Sequence, residues 1–176
     1  IIEDKAGLKK NSLFGTDAIQ TQETIADFSD KIRAGKQAQV TDDFMILARC
    51  ESLIAGKAVE DALTRGRAYV EAGADGIMIH SRQSDGNDIK EFCLRFRETD
   101  TTTPIAAAPT TYHQFTEEEL HNWGINIVIY ANHLLRASYP AMVKVAKMIL
   151  ENNRPQEAER HCMPIREILE LIPGTK

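Results

Sequence analysis

Cysteine is scarce in this chain and forms no recognisable pattern: Cys50, Cys93 and Cys162 are widely spaced, with no CxxC pair. An odd number so dispersed argues against a disulfide framework or a zinc site, and fits reduced thiols in a cytoplasmic setting. Long apolar runs are also missing. None approaches the roughly 20 residues of a membrane span, and the expectation is a protein with neither membrane anchor nor secretory leader. There is no basic excess either. The formal net charge is -5, too acidic to hold a phosphate backbone, so nucleic acid is not an expected partner. GxGxxG, Walker and HExxH motifs are absent. What remains is 43% hydrophobic and 27% charged residues, the make-up of a globular domain with a sizeable core.

Short apolar runs alternate with amphipathic stretches. "FMILAR" (44–49), "GIMIH" (76–80), "PIAAAP" (104–109) and "INIVIY" (125–130) are too short for buried helices and suit strands covered on both faces. Ile1 and Ile2 read as the tail of a fifth strand. Between these runs, Ile25, Phe28 and Ile32 share one helical face, with Gly35 expected as the stop. A second helix runs from Ala58 towards Gly73. Ile89, Phe92, Cys93 and Phe96 mark a third, and "TEEELHNWG" a short acidic-headed fourth ending on Gly124. Tyr139 to Leu150 reads as a long helix after the last strand. Ile165, Ile168 and Leu169 form a short closing one, and no linker is evident inside the chain.

Strand and helix in repeated alternation predict an α/β fold with a parallel sheet. Five strands suit either a doubly wound sheet or part of a (β/α)8 barrel, which takes about 250 residues when whole. Polar clusters sit where four of the strands end: Glu3-Asp4-Lys5, Arg49 with Glu51, His80-Ser81, and Asn132-His133. Barrel enzymes gather catalytic side chains at that rim, which favours the partial barrel.

The clusters permit more than one role each. Glu3 and Asp4 are hard oxygen ligands fit for Mg2+, or simply a solvated turn. The stretch "AGLKKNS", with Lys9, Lys10, Asn11 and Ser12, suits either a loop closing on an anion or an exposed basic loop. Arg49 ends an apolar strand and needs an anion, either Glu51 or a substrate phosphoryl group. His80 ends the next strand in the same register, as a core histidine or a substrate contact. Alternation turns Cys50 away from Arg49, towards packing. "ANHLLRAS" fits a phosphate-binding turn or a dimer contact.

Taken together, "EDKAGLKKNS", "ARCESLIAG", "AGADGIMIHS" and "NHLLRAS" resemble the phosphoenolpyruvate mutase branch of the isocitrate lyase/phosphoenolpyruvate mutase superfamily. The resemblance covers nearly the whole chain. It implies roughly strands 4 to 8 of a TIM barrel, the C-terminal portion, as one domain over residues 1–176, with the last helix exchanged in a homodimer or homotetramer. It also implies Mg2+ and an α-keto acid substrate, with phosphoenolpyruvate and phosphonopyruvate interconverted. Lys9, Asn11, Arg49 and His80 then become catalytic, and Ser12, Arg49 and His80 hold substrate. Glu3 joins the metal's water shell, while the family's direct aspartate ligands belong to strands that precede "IIED". Without those strands the chain is expected to have an incomplete metal site and two open sheet edges. The superfamily's carbon–carbon lyases carry a catalytic cysteine in the loop that here reads "GLKKNS". Phosphonopyruvate hydrolase, a lyase with an unusual loop, and a non-catalytic fragment are the alternatives.

Overall fold

The structure is a computed structural model that describes residues 1–7, 21–171 and 174. Two compact units divide it, residues 1–130 and 131–176.

In the first unit the elements run β1 (Ile2–Glu3), β2 (Lys5–Ala6), β3 (Thr21–Gln22), α1 (Ile25–Gln37), β4 (Leu47–Cys50), α2 (Val59–Glu71), β5 (Gly76–Ile79), α3 (Asn87–Arg97), β6 (Ile105–Ala107), α4 (Glu117–Asn122) and β7 (Ile127–Val128). Strands β1, β4, β5, β6 and β7 lie side by side in that order, all parallel. β2 and β3 form a small antiparallel pair beside them.

The helices settle which parallel fold this is. Phe28 and Ile32 of α1, Leu63 and Tyr69 of α2, Phe92 and Phe96 of α3, and Leu120 of α4 join Ala48, Cys50, Ile77, Ile79, Ile105 and Ala107 in one core. The alternate strand residues Leu47, Met78 and Ala106 form a second, small cluster with Ala108 that contains no helical residue. Among the described residues of this unit, helices therefore cover one face only, as around a barrel; a doubly wound sheet has them on both.

Local signals place the helix ends. Thr24 caps α1 by accepting the Asp27 N–H at 3.1 Å, and Thr116 and Glu119 form a reciprocal capping box on α4. Gly73 and Gly124 adopt φ of 104° and 98° just past α2 and α4, which L-residues adopt only under strain. Gly35 does not stop α1. The helix runs on to Gln37, and a β-carbon at Gly35 would stand 2.7 Å from Cδ1 of Ile46. The glycine serves close packing of α1 on the segment entering β4.

The second unit holds α5 (His133–Asn152), a turn of 3-10 helix at Glu159–His161, and α6 (Ile165–Glu170). α5 starts six residues before the expected Tyr139, so His133 to Ser138 lie within a helix, not a turn. Asn132 precedes it as the cap residue, and its backbone carbonyl accepts the Arg136 N–H at 2.9 Å. None of the α5 side chains is buried.

Candidate active site

The parallel ends of β1, β4 and β5 bring the expected charged residues together. Glu3 is in register with Arg49, and His80 follows β5, itself paired to β4 through Arg49 and Met78. Strand alternation puts Arg49 on the side of Leu47, and His80 on the side of Met78, away from the helices. Cys50 points the other way and is fully buried. Burial, with Asp4 nearby, pushes its thiol pKa up to about 12, so it is a packing group and not a nucleophile.

Arg49 Nε donates to Glu51 Oε1 at 2.6 Å and lies 3.6 Å from Glu3 Oε2. On the other side of Glu51, Lys5 Nζ stands 4.0 Å from Oε2. The Lys5 and Glu51 side chains are only 4% and 3% exposed. Two cations and two carboxylates thus alternate along the rim, largely out of water, where each charge counts for more than at a surface.

His80 completes the group. It is buried, and among the described residues its Nδ1 finds no hydrogen-bond partner. Burial pulls its pKa down to about 4, helped by the positive charges of Arg49 and Arg82 and opposed by Glu51. The imidazole is therefore neutral at pH 7. A buried ring nitrogen without a partner is uncommon in a folded protein and costs stability unless something binds it. Because the unfolded chain takes up this proton near pH 6.5 and the folded one only near 4, stability falls as pH drops through that window. The expected slope approaches about 1.4 kcal/mol per pH unit. Urea unfolding between pH 7 and 4 measures it, and a His80→Gln variant should show a flatter profile.

Asp4 is not a rim carboxylate. It is wholly buried and turned beneath the site. Its Oδ1 accepts the Glu51 N–H at 2.9 Å, and its Oδ2 accepts Tyr69 OH at 2.6 Å and Gln22 Nε2 at 3.0 Å. Arg65 Nη1 lies 3.4 Å away. Burial raises the Asp4 pKa, and these donors oppose the rise. Composition alone did not reveal this role. The signal was on α2, where Arg65 interrupts a buried face, with Asp61 and Tyr69 one turn to either side.

A metal test follows from the same geometry. With Asp4 committed, the described residues contain no group of three or more His, Cys, Asp or Glu able to hold an ion. They do not make a cation site by themselves; Glu51 is engaged by Arg49 and Lys5, and Glu3 is the rim carboxylate that would stand nearest a hydrated Mg2+. A hollow of about 800 Å³ beside β1 and α1 is lined mainly by apolar side chains such as Ile2, Phe28, Val40, Phe44 and Met45, with Glu3 and Lys31 also on its wall; Arg49 and His80 do not line it. Lys9, Asn11 and Ser12 lie outside the described residues. Asn132, His133, Arg136 and Ser138 belong to the second unit.

The sequence and fold have counterparts among known proteins. The profile of the phosphoenolpyruvate phosphomutase family matches residues 1–150. The chain belongs to that family. It is 42% identical to the phosphoenolpyruvate phosphomutase of Streptomyces viridochromogenes, over 97% of this chain and 53% of that protein. The crystal structure of a phosphoenolpyruvate phosphomutase from Streptomyces platensis subsp. rosaceus superposes with a TM-score of 0.88 at 37% identity, covering 97% of this chain and 57% of that one. A phosphonopyruvate hydrolase, solved with oxalate and Mg2+, superposes with a TM-score of 0.82 at 35% identity, over 97% and 56%. This phosphomutase-family chain thus spans about half the length of the relatives it matches. No helix among the described residues is long and apolar enough to cross a membrane.

Proposed function

We propose that this chain supplies one side of the active site of a Mg2+-dependent phosphomutase that interconverts phosphoenolpyruvate and phosphonopyruvate. The observation that carries the reading is a neutral, buried His80, its Nδ1 unpartnered among the described residues, beside the guanidinium of Arg49. A transferring phosphoryl group asks little covalent chemistry of a protein and much positioning and charge stabilisation. In the forward sense the C–P bond of phosphonopyruvate breaks, the electron pair stays with the resulting pyruvate enolate, and the phosphoryl group re-bonds to the enolate oxygen. Arg49 offsets the negative charge of the group in flight. In the Nδ1–H tautomer, His80 donates to one of its oxygens without adding charge of its own. By the family resemblance, Asn11 is assigned the contact to the group in flight, Lys9 a further catalytic role and Ser12 a part in substrate binding. Mg2+, when bound, supplies positive charge beside the substrate oxygens, and Glu3 is this chain's contribution to its water shell.

A homodimer or homotetramer in the cytoplasm is part of the proposal. The assembly, though not the location, is supported by α5, where Leu134, Leu135, Tyr139 and Met142 stand exposed along the helix. The hydrolase alternative has a specific motive in the superposition on phosphonopyruvate hydrolase. The two are separated by ³¹P NMR of the full-length protein with phosphonopyruvate and Mg2+. A phosphoenolpyruvate resonance is expected. Inorganic phosphate as the sole product means that water reaches the group in flight, and the hydrolase reading then replaces this one.

A further inference from the structure

Asp4 reaches Arg49 along two routes. Its backbone N–H donates to the Arg49 carbonyl at 3.1 Å, and its Oδ1 accepts the Glu51 N–H at 2.9 Å. One residue thus grips β4 on both sides of Cys50, at the bend where the strand leaves the sheet. Glu51, fixed by that grip, in turn holds Arg49 Nε at 2.6 Å. The other side of Asp4 faces the returning chain: its carbonyl accepts the Glu23 N–H at 2.8 Å, and Oδ2 accepts Gln22 Nε2 at 3.0 Å. Tyr69 and Arg65, both on α2, brace the carboxylate from below.

We infer that Asp4 is a positioning residue, acting through Glu51 to set the direction from which the Arg49 guanidinium meets the substrate's phosphoryl group. The inference rests on the proposed function, since it assumes that Arg49 binds that group. Asp4 touches no substrate; its effect passes through backbone and side chain of its neighbours. A displacement of about 1 Å in a positioned group costs on the order of 10²-fold in rate, so the link is measurable.

A control is built into the same strand. Asp75 accepts the Ile46 N–H at 2.7 Å, next to the opposite end of β4, and pairs with Lys36. It thus resembles Asp4 in construction but is remote from the rim. In the full-length protein, Asp4→Asn and Asp75→Asn are both expected to lower Tm. Asp4→Asn alone is expected to lower kcat on phosphonopyruvate tenfold or more, measured well below the melting transition, while Asp75→Asn keeps the wild-type value. Glu51→Ala tests the last link should Asp4→Asn fail to fold. It is expected to show the same loss, with Glu51→Gln recovering much of it by keeping an oxygen for Arg49 Nε. Unchanged kcat and KM in folded Asp4→Asn, or in Glu51→Ala where the first does not fold, overturns the inference while leaving the proposed function intact. A wild-type protein inactive on both phosphonopyruvate and phosphoenolpyruvate overturns the proposed function, and this inference with it.

Discussion

Arg49→Lys in the full-length protein is expected to lower kcat/KM for phosphonopyruvate by about 10²–10³-fold, the usual size when one preorganised charge-stabilising donor is lost. Charge is conserved in this exchange, so the loss reports geometry. The Nε that now donates to Glu51 at 2.6 Å disappears, and a lysine ammonium is a compact, strongly hydrated point charge on a flexible stem. It cannot lie against Glu51 and present a planar fork to phosphoryl oxygens at once. Arg49→Ala should be no better. Steady-state kinetics decide the matter, with the melting temperature as a check on folding. A lysine variant with near wild-type kcat/KM would remove Arg49 from the role proposed for it.

Arg65→Ala is expected to be the most destabilising of the substitutions considered, by about 3–5 kcal/mol, the range for breaking one partner out of a buried ionic cluster. Arg65 is buried, and its Nη1 donates at 2.9 Å to both Tyr69 OH and the Glu23 carbonyl. Its Nε donates to Asp61 Oδ2 at 3.0 Å. Truncation leaves the Asp4 carboxylate buried without its cation and the Glu23 carbonyl without this donor, and removes the aliphatic stem from the packed face of α2. For a chain of this size each kcal/mol moves Tm by roughly 2–4 °C, so a fall of about 6–20 °C is expected in thermal melts. A shift of only one or two degrees would mean that the cluster is dispensable to the fold.

Much of the fold was legible because its signals are local and repeated. Four buried positions at helical spacing in α3 and a glycine past the ends of α2 and α4 each report on a few neighbouring residues. The rim positions of Arg49 and His80 were legible for the same reason, since each side chain falls directly at the end of an apolar run. The role of Asp4 was not. Its partners come from residues 22, 51, 65 and 69, and only the closed fold assembles them. Gly35 misled because a glycine near a helix end usually signals termination, whereas here the tertiary contact with Ile46 decides its use. The start of α5 was missed because the polar residues Asn132, His133, Arg136 and Ser138 suggested a turn.

The two-residue periodicity of β4 and β5 also bears on how such a protein changes over time. Ala48, Cys50, Ile77 and Ile79 face the helices, where substitution is answered first by a loss of folded protein. Leu47 and Met78 belong to the small inner cluster and share a face with Arg49 and His80. Drift on that second row alters the floor beneath the chemistry while leaving the helix-packed core untouched. Selection for a new substrate can therefore act on one set of positions and selection for endurance on the other, with neighbouring residues of the same short strand evolving almost independently.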